Sequence, residues 1–328
     1  MFCSLILPNF RGTFKFIQRT ITSHATVRTP EQHTITLNNR PINESGLLGS
    51  IQLNVWEWPG KSPLILICHG TSNHGRCFDQ IIANLPSDQH IITFDFRGHG
   101  YSSQSPPYTF RTISDDLTEF IEVRGIKNAI GIGHSLGGTA LILATILKPT
   151  AFSNLLLLEP AIFPKSVLDG KTPLQQTSFD NIKQRRISTW RSIDEMYDFF
   201  KDKPIFRNWI PSTLRDYCTY GVLTGGSGVV LSCDVETSQS FYVSAMDKEI
   251  NIYDKLCQIE IPVHIVRSGF SYKPGRWDTS FTSPDLVSYF KNAQDTKLEN
   301  MSHFIPMEAP SLVADLIKQI LIKQKCKL

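Results

Sequence analysis

The chain has 328 residues, 41% of them hydrophobic and 19% charged, with a formal net charge of +3. That charge is too small to argue for a nucleic-acid partner, and no run of about 18 residues or more is continuously apolar, so no transmembrane helix is expected. Seven scattered cysteines, odd in number and without a C-x-x-C pair, argue for free thiols in a reducing compartment and against a zinc site.

Residues 1–30 contain no Asp or Glu and carry Arg11, Lys15, Arg19 and Arg28 among Ser, Thr, Phe and Ile. That is the composition of a mitochondrial transit peptide, and equally of an unstructured N-terminal extension. From Gln32 to Trp58 the pattern predicts two strands, the second alternating Ile51, Leu53 and Val55 with Gln52, Asn54 and Trp56. Leu64–Cys68 is continuously apolar, as in a strand buried on both faces, and it runs into His69-Gly70-Thr71. Ligand-facing loops of open α/β sheets lie at the carboxyl ends of strands, so the Thr71 N–H is a candidate donor to a developing negative charge. His69, Gly70 and His134 are candidate substrate contacts, although His69 and His74 also fit a loop-shaping role.

Ile91–Asp95 predicts the next strand, followed by the polar turn Phe96–Ser102. Asp95, Arg97 and His99 read as structural ties there, with Asp95 a minor candidate for a catalytic acid. Asp115–Arg124 predicts an amphipathic helix through Leu117, Phe120 and Ile121. Next comes the most informative stretch, Asn128–Ile132 as a buried strand, Gly133-His134-Ser135-Leu136-Gly137-Gly138 as a tight turn, and Thr139–Leu147 as a helix. Strand, G-x-S-x-G and helix is the context of a nucleophile elbow. Ser135 would stand at a sharp turn with its hydroxyl clear of the backbone. Glycines at 133 and 137 leave room for the close approach. The helix N-terminus would aim the Leu136 N–H at an oxyanion, partnering Thr71.

Leu155–Leu158 predicts another buried strand, ending at Glu159-Pro160. A carboxylate at that strand end is a candidate catalytic acid. Residues 161–255 break the alternation; they are polar, helical in pattern and rich in aromatics such as Trp190, Phe199, Phe200, Phe206 and Trp209, and are expected to form an inserted helical cap. Pro262–Val266 resumes the sheet, Leu286–Lys291 predicts a helix, Thr296–Glu299 a last strand, and Pro306–Gln324 the final helix after His303. The organisation is then residues 1–30 as an extension, 31–160 and 256–328 as an α/β core, and 161–255 as the cap. The repeated strand–helix order argues a mostly parallel sheet covered on both faces.

These parts together resemble the α/β-hydrolase superfamily over roughly residues 47–322: His69-Gly70, the Asp95–Ser102 run, the elbow at Ser135, and His303 followed by Pro306–Pro310. The resemblance implies an α/β-hydrolase fold, Ser135 as nucleophile and His303 as general base. Epoxide hydrolases and haloalkane dehalogenases of this fold use an aspartate nucleophile, and Ser135 argues against both. Most members place the acid just after a glycine closing the strand at Val266, but here Gly269 is followed by Phe270, Ser271 and Tyr272. Glu159 is chosen instead, because it keeps the chain order Ser, acid, His; Asp278 and Asp285 are the alternatives. A narrower similarity is to fungal peroxisomal α/β hydrolases, carried by Leu158-Glu159-Pro160, His264–Ser271 and His303 with Glu308-Ala309-Pro310. Cys326-Lys327-Leu328 resembles a peroxisomal Ser-Lys-Leu address and so implies an import receptor as partner, with mitochondrial or dual targeting as the alternative.

The expected function is a serine hydrolase acting on a small-molecule carboxylic ester or thioester with an apolar acyl or aryl group. Rival readings are C–C bond hydrolysis or acyl transfer on the same residues, or a binding protein with a degraded site. No metal and no organic cofactor is called for.

Overall fold

The computed structural model describes residues 28–171, 188–225, 228–273 and 276–326. The targeting readings at the two termini therefore lie almost wholly outside the described residues.

Eight strands form one sheet in the order β1-β2-β4-β3-β5-β6-β10-β11. They are β1 Glu31–Pro41, β2 Leu48–Trp58, β3 Lys61–Cys68, β4 Gln89–Phe94, β5 Ala129–His134, β6 Phe152–Leu158, β10 Val263–Ser268 and β11 Ala293–Leu298. The pairs β1–β2 and β2–β4 are antiparallel and the remaining pairs are parallel. Side-chain alternation sends β3 into two cores: Leu66 and Cys68 pack with Leu117, Phe120 and Ala140 on one face, while Ile65 and Ile67 pack with Val313 and Ile317 on the other. A strand buried on both faces has no need of a polar side, which is why its sequence is continuously apolar.

The longer helices are α1 Phe110–Val123, α2 Leu136–Leu147, α3 Ile193–Lys201, α4 Pro211–Tyr220, α5 Val235–Ser244 and α6 Pro310–Lys325. Helix α1 begins at Phe110 rather than Asp115, because Thr109 caps it: its side chain accepts from the Thr112 N–H at 3.0 Å. Helix α2 is buried over most of its length, and its first turn starts directly after Ser135. The final helical stretch is divided, with a short turn at Ile305–Glu308 and α6 restarting at Pro310, a residue suited to a first helical position. The helix expected over 286–291 is a 3-10 turn at Leu286–Tyr289. The strand expected at 296–299 starts earlier, at Ala293, in parallel register with Val263.

Between β6 and β10 lie α3, α4 and α5 together with a small antiparallel sheet, β7 Thr189–Trp190, β8 Val222–Gly225 and β9 Gly228–Leu231, in the order β7-β9-β8. This segment is thus mixed rather than purely helical. The Val-Leu-Thr and Val-Val-Leu runs pair as Leu223 with Val230 and Thr224 with Val229. Aromatic rings tie the segment together: Phe200 lies 4.8 Å from Phe206, and Phe206 lies 4.9 Å from Trp209, centroid to centroid. Trp209 and Phe304 are in turn 5.4 Å apart, which joins this segment to the loop carrying His303.

Candidate active site

Ser135 sits between the end of β5 and the start of α2 with φ 52° and ψ −118°, a left-handed backbone that residues with side chains avoid. The surroundings hold it there. Its N–H donates to Leu158 O at 3.1 Å, and its carbonyl accepts from Gly138 and Ala161 N–H groups at 3.0 and 3.1 Å. A Cβ on Gly137 would stand 2.3 Å from the Cys68 carbonyl oxygen, and one on Gly133 would stand 2.6 Å from the Gly138 Cα. Both glycines are therefore required by backbone approaching backbone.

His303 and Ser135 line one small cavity of about 30 Å³, together with Thr71, His134, Phe281 and Phe304. Among the described residues no hydrogen bond joins the Ser135 hydroxyl to the His303 ring, but both face this space. The imidazole is held edge-on by Phe281 at 4.8 Å, and the His303 backbone carbonyl accepts from His134 Nε2–H at 2.9 Å. Ser302 beside it is fixed by Glu308, whose Oε2 accepts the Ser302 N–H at 3.0 Å.

Behind the imidazole, Glu159 Oε2 lies 3.1 Å from His303 Nδ1. Glu159 is fully buried and also left-handed, with φ 51°. Three further donors fill its carboxylate: Ser268 N–H at 2.5 Å and Ser280 Oγ at 2.9 Å on Oε1, and Phe281 N–H at 3.2 Å on Oε2. A buried carboxylate is tolerable only with such partners. The rival acids face elsewhere. Asp278 takes a bidentate pair from Arg276 at 2.8 and 2.5 Å, which holds its carboxyl below the ordinary value, and only its backbone carbonyl meets the His303 N–H, at 3.2 Å. Asp285 accepts from the Ser283 hydroxyl. Asp95 accepts from Gly75 N–H at 2.8 Å and Asn54 Nδ2 at 2.9 Å, and burial pushes its pKa up to about 6.

Thr71 lines the cavity and Leu136 follows Ser135 directly, and among the described residues neither backbone N–H donates to another group. Leu136 opens α2, where an N–H has no intrahelical acceptor and the helix dipole is positive. The other candidate contacts divide. His134 is on the cavity wall, and burial followed by repulsion from His303 lowers its pKa to about 3, so it is neutral. His69 lies beneath the wall rather than on it: Nε2 accepts the Phe96 N–H at 2.9 Å and Nδ1 faces Gly70 O at 2.8 Å. With both ring nitrogens engaged and the residue fully buried outside the cavity lining, His69 is placed to shape the loop. Gly70 acts by having no side chain, since a Cβ would stand 2.8 Å from His134 Nδ1 and 3.0 Å from Ser135 Cβ.

Sequence reasoning did not single out Ser268, Ser280 or the Phe281 N–H. The signal available was the pair of hydroxyl-rich stretches after Val266, where a carboxylate was sought and donors stand instead. Among the described residues no cluster of three His, Cys, Asp or Glu is arranged to hold a metal, and no helix is long and apolar enough to cross a membrane.

Comparison with known proteins adds a lineage to this geometry. The family model for the alpha/beta hydrolase fold matches residues 63–193. Serine hydrolase-like protein 2 of Homo sapiens is 30% identical over 286 residues, covering 80% of this chain and 87% of that protein. A serine hydrolase-like protein of Danio rerio is 28% identical over 159 residues, 47% of this chain, and the match spans about half of that relative's length, 48%. Among solved structures, a peroxisomal α/β-hydrolase of Saccharomyces cerevisiae superposes with a TM-score of 0.72 over 92% of this chain and 91% of that one, at 14% identity, a likeness of fold.

Proposed function

Because the chain belongs to the α/β-hydrolase superfamily, we propose that it is a serine hydrolase that cleaves a carboxylic ester or thioester through an acyl-enzyme. The observation that carries this reading is the convergence of Ser135 and His303 on one cavity, with the buried Glu159 carboxylate 3.1 Å behind the imidazole. That contact supports this reading over a degraded binding protein, whose motive is the missing acid after Gly269.

In this mechanism His303 Nε2 takes the hydroxyl proton of Ser135 as Oγ bonds to the substrate carbonyl carbon. The carbonyl oxygen becomes an anion between the N–H groups of Thr71 and Leu136. Collapse of this intermediate breaks the bond to the alcohol or thiol, which leaves with the proton from His303. Water then gives a proton to His303, attacks the acyl carbon and frees the acid, and Ser135 recovers its proton. Glu159 keeps the proton of the resting imidazole on Nδ1 and stabilises the imidazolium. Residues 161–255, taken as the cap, supply an aromatic wall that favours an apolar acyl or aryl group.

Fluorophosphonate labelling of the purified chain beside Ser135→Ala tests the assignment without knowledge of the substrate. Labelling of the wild type and its loss in Ser135→Ala is the expected result. A folded wild type that takes up no probe, or a labelled Ser135→Ala, overturns it. The peroxisomal destination belongs to the same proposal; imaging the full chain with and without its last three residues decides it.

A further inference from the structure

The cavity at Ser135, of about 30 Å³, has room for little more than the reacting carbonyl group and a water. The rest of a substrate must lie beside it. A second cavity, of about 310 Å³, adjoins it: Thr71, Tyr242, Trp277 and Phe304 line both. That volume suits a drug-sized organic group. Phe199, Phe200, Ile205, Phe206 and Leu231 make its walls apolar. Lys203 is the one charged side chain among the described residues that line it, and no carboxylate does. Thr71, at the junction, is buried, whereas Lys203 is exposed. The chamber thus runs from a proposed oxyanion donor to a cation at its mouth.

The position of that cation is fixed by the chamber itself. Lys203 stands in the turn between α3 and the 3-10 turn Pro204–Phe206. Its N–H donates to Phe200 O at 2.9 Å, and its carbonyl accepts the Phe206 N–H at 3.0 Å, so its backbone is tied to two wall residues. Its ammonium lies 4.2 Å from the centroid of the Phe199 ring, a third wall residue. The ring quadrupole attracts a cation over its face and keeps the charge against the wall. The nearby Lys201 is paired with Asp198 at 2.7 Å, whereas among the described residues no carboxylate is paired with Lys203.

Resting on the serine-hydrolase reading, we propose that the chamber receives an apolar chain of the substrate, on its acyl or its alcohol side, that ends in a carboxylate held by the Lys203 ammonium. The apolar body leaves water for aromatic walls. The carboxylate reaches the mouth, where it keeps part of its hydration and meets three charged donors. A neutral end gains less at Lys203, and a terminal ammonium meets a like charge. Because the site is open to solvent, the preference is modest and weakens as salt is added.

The test uses the full chain and two ester series. One varies the acyl side: mono-p-nitrophenyl esters of suberic, azelaic and sebacic acids. The other varies the alcohol side: acetates of 8-hydroxyoctanoate and 10-hydroxydecanoate. Each member is compared with its analogue ending in a primary amide, which matches the carboxylate in shape and lacks its charge. Values of kcat/KM are divided by the rate of hydroxide hydrolysis to remove intrinsic reactivity. The expected result is a preference of about three- to fivefold for the acid in one of the two series. It collapses towards one in Lys203→Met, persists in Lys203→Arg and shrinks with added salt. A ratio near one in both series, or a ratio that survives in Lys203→Met, overturns the inference. If the wild type cleaves neither series, calorimetric binding of monoethyl sebacate and its terminal amide to Ser135→Ala decides the chamber. Tighter binding of the acid, lost when Lys203→Met is added, supports the inference; equal binding overturns it. Failure of the wild type to take up fluorophosphonate is read separately and bears on the catalytic reading alone.

Discussion

Glu159 Oε2 stands 3.1 Å from His303 Nδ1, although 144 residues separate them in the chain. The contact closes a line that begins at the cavity holding Ser135 and ends at a carboxylate fully removed from solvent. Glu159→Gln keeps the shape and leaves an amide whose NH2 can face the imidazole, favouring the wrong tautomer. Turnover is expected to fall by about a thousandfold, while Asp278→Asn stays near the wild-type rate. Steady-state kinetics on any accepted p-nitrophenyl ester checks both. The reverse ranking would return the acid to Asp278.

The buried pair beneath the polar turn carries a stability prediction. Arg97 Nε and NH2 meet the two oxygens of Asp116 at 2.5 and 2.8 Å, and Arg40 Nε meets Oδ1 at 2.8 Å. Arg97 and Asp116 are both shielded from water. Asp116→Ala strands the Arg97 guanidinium in the interior, at a cost of about 3–5 kcal/mol. Urea denaturation of the two proteins measures it; a change below about 1 kcal/mol would mean that water reaches Arg97.

Acid should unfold the protein well above the ordinary carboxylate range. Burial lowers His74 and His134 to about 3, His99 to about 4, and His69 well below its usual 6.5. As pH falls below 6.5 the unfolded chain binds four protons that the folded state refuses, so the stability these groups lend at neutral pH is lost on acidification. Asp95 and Asp216, each raised to about 6 by burial, act oppositely, since the folded state takes up their protons first. Asp79, Asp116 and Asp247, also raised by burial, act with them, and His264, lowered by burial, joins the histidines; between pH 7 and pH 5 the histidines, whose unfolded value of 6.5 lies inside that window, outweigh the carboxylates, so stability falls. Denaturation midpoints at pH 7 and pH 5 check this. A stability that is flat or rising towards pH 5 contradicts the account.

Gly137→Ala drives a methyl group to within 2.3 Å of the Cys68 carbonyl oxygen, and backbone cannot swing aside as a side chain can. A loss of at least about 2 kcal/mol is expected, with fluorophosphonate labelling lost alongside. Gly225→Ala, where nothing lies within 4 Å of the new atom, is the control and should label and melt as the wild type does.

Much of this was legible in the residues. Leu64–Cys68 announces a strand buried on two faces because both faces demand apolar atoms, and the elbow glycines announce backbone crowding that only their lack of a side chain permits. The place of Glu159 at a strand end, before a proline, was readable, while its contact with His303 was not. What stayed hidden depends on contacts distant in sequence. Ser280 and the Phe281 N–H reach Glu159 from a loop 121 and 122 residues further along the chain. His69 reads both as a loop-shaping residue and as a substrate contact from its neighbours, and only the Phe96 N–H on its Nε2, 27 residues away, favours the first. The strands β7, β8 and β9 have two to four residues each, too few to display a period.

Strands β5 and β6 pair His134 with Leu158, so Ser135 and Glu159 occupy the next rung of one ladder, and both turn left-handed there. The proposed nucleophile and the proposed acid are thereby gauged against each other by register, as two marks on a single ruler. A slip of one residue in β6 would carry Glu159 off its rung and present the opposite side of the strand, disarming the imidazole without touching the serine. The loop after β10 and the segment over the sheet lie off this ladder, so a change in their length leaves the rung intact, whereas a change in the spacing from Ile132 to Ser135 alone, or from Leu156 to Glu159 alone, breaks it.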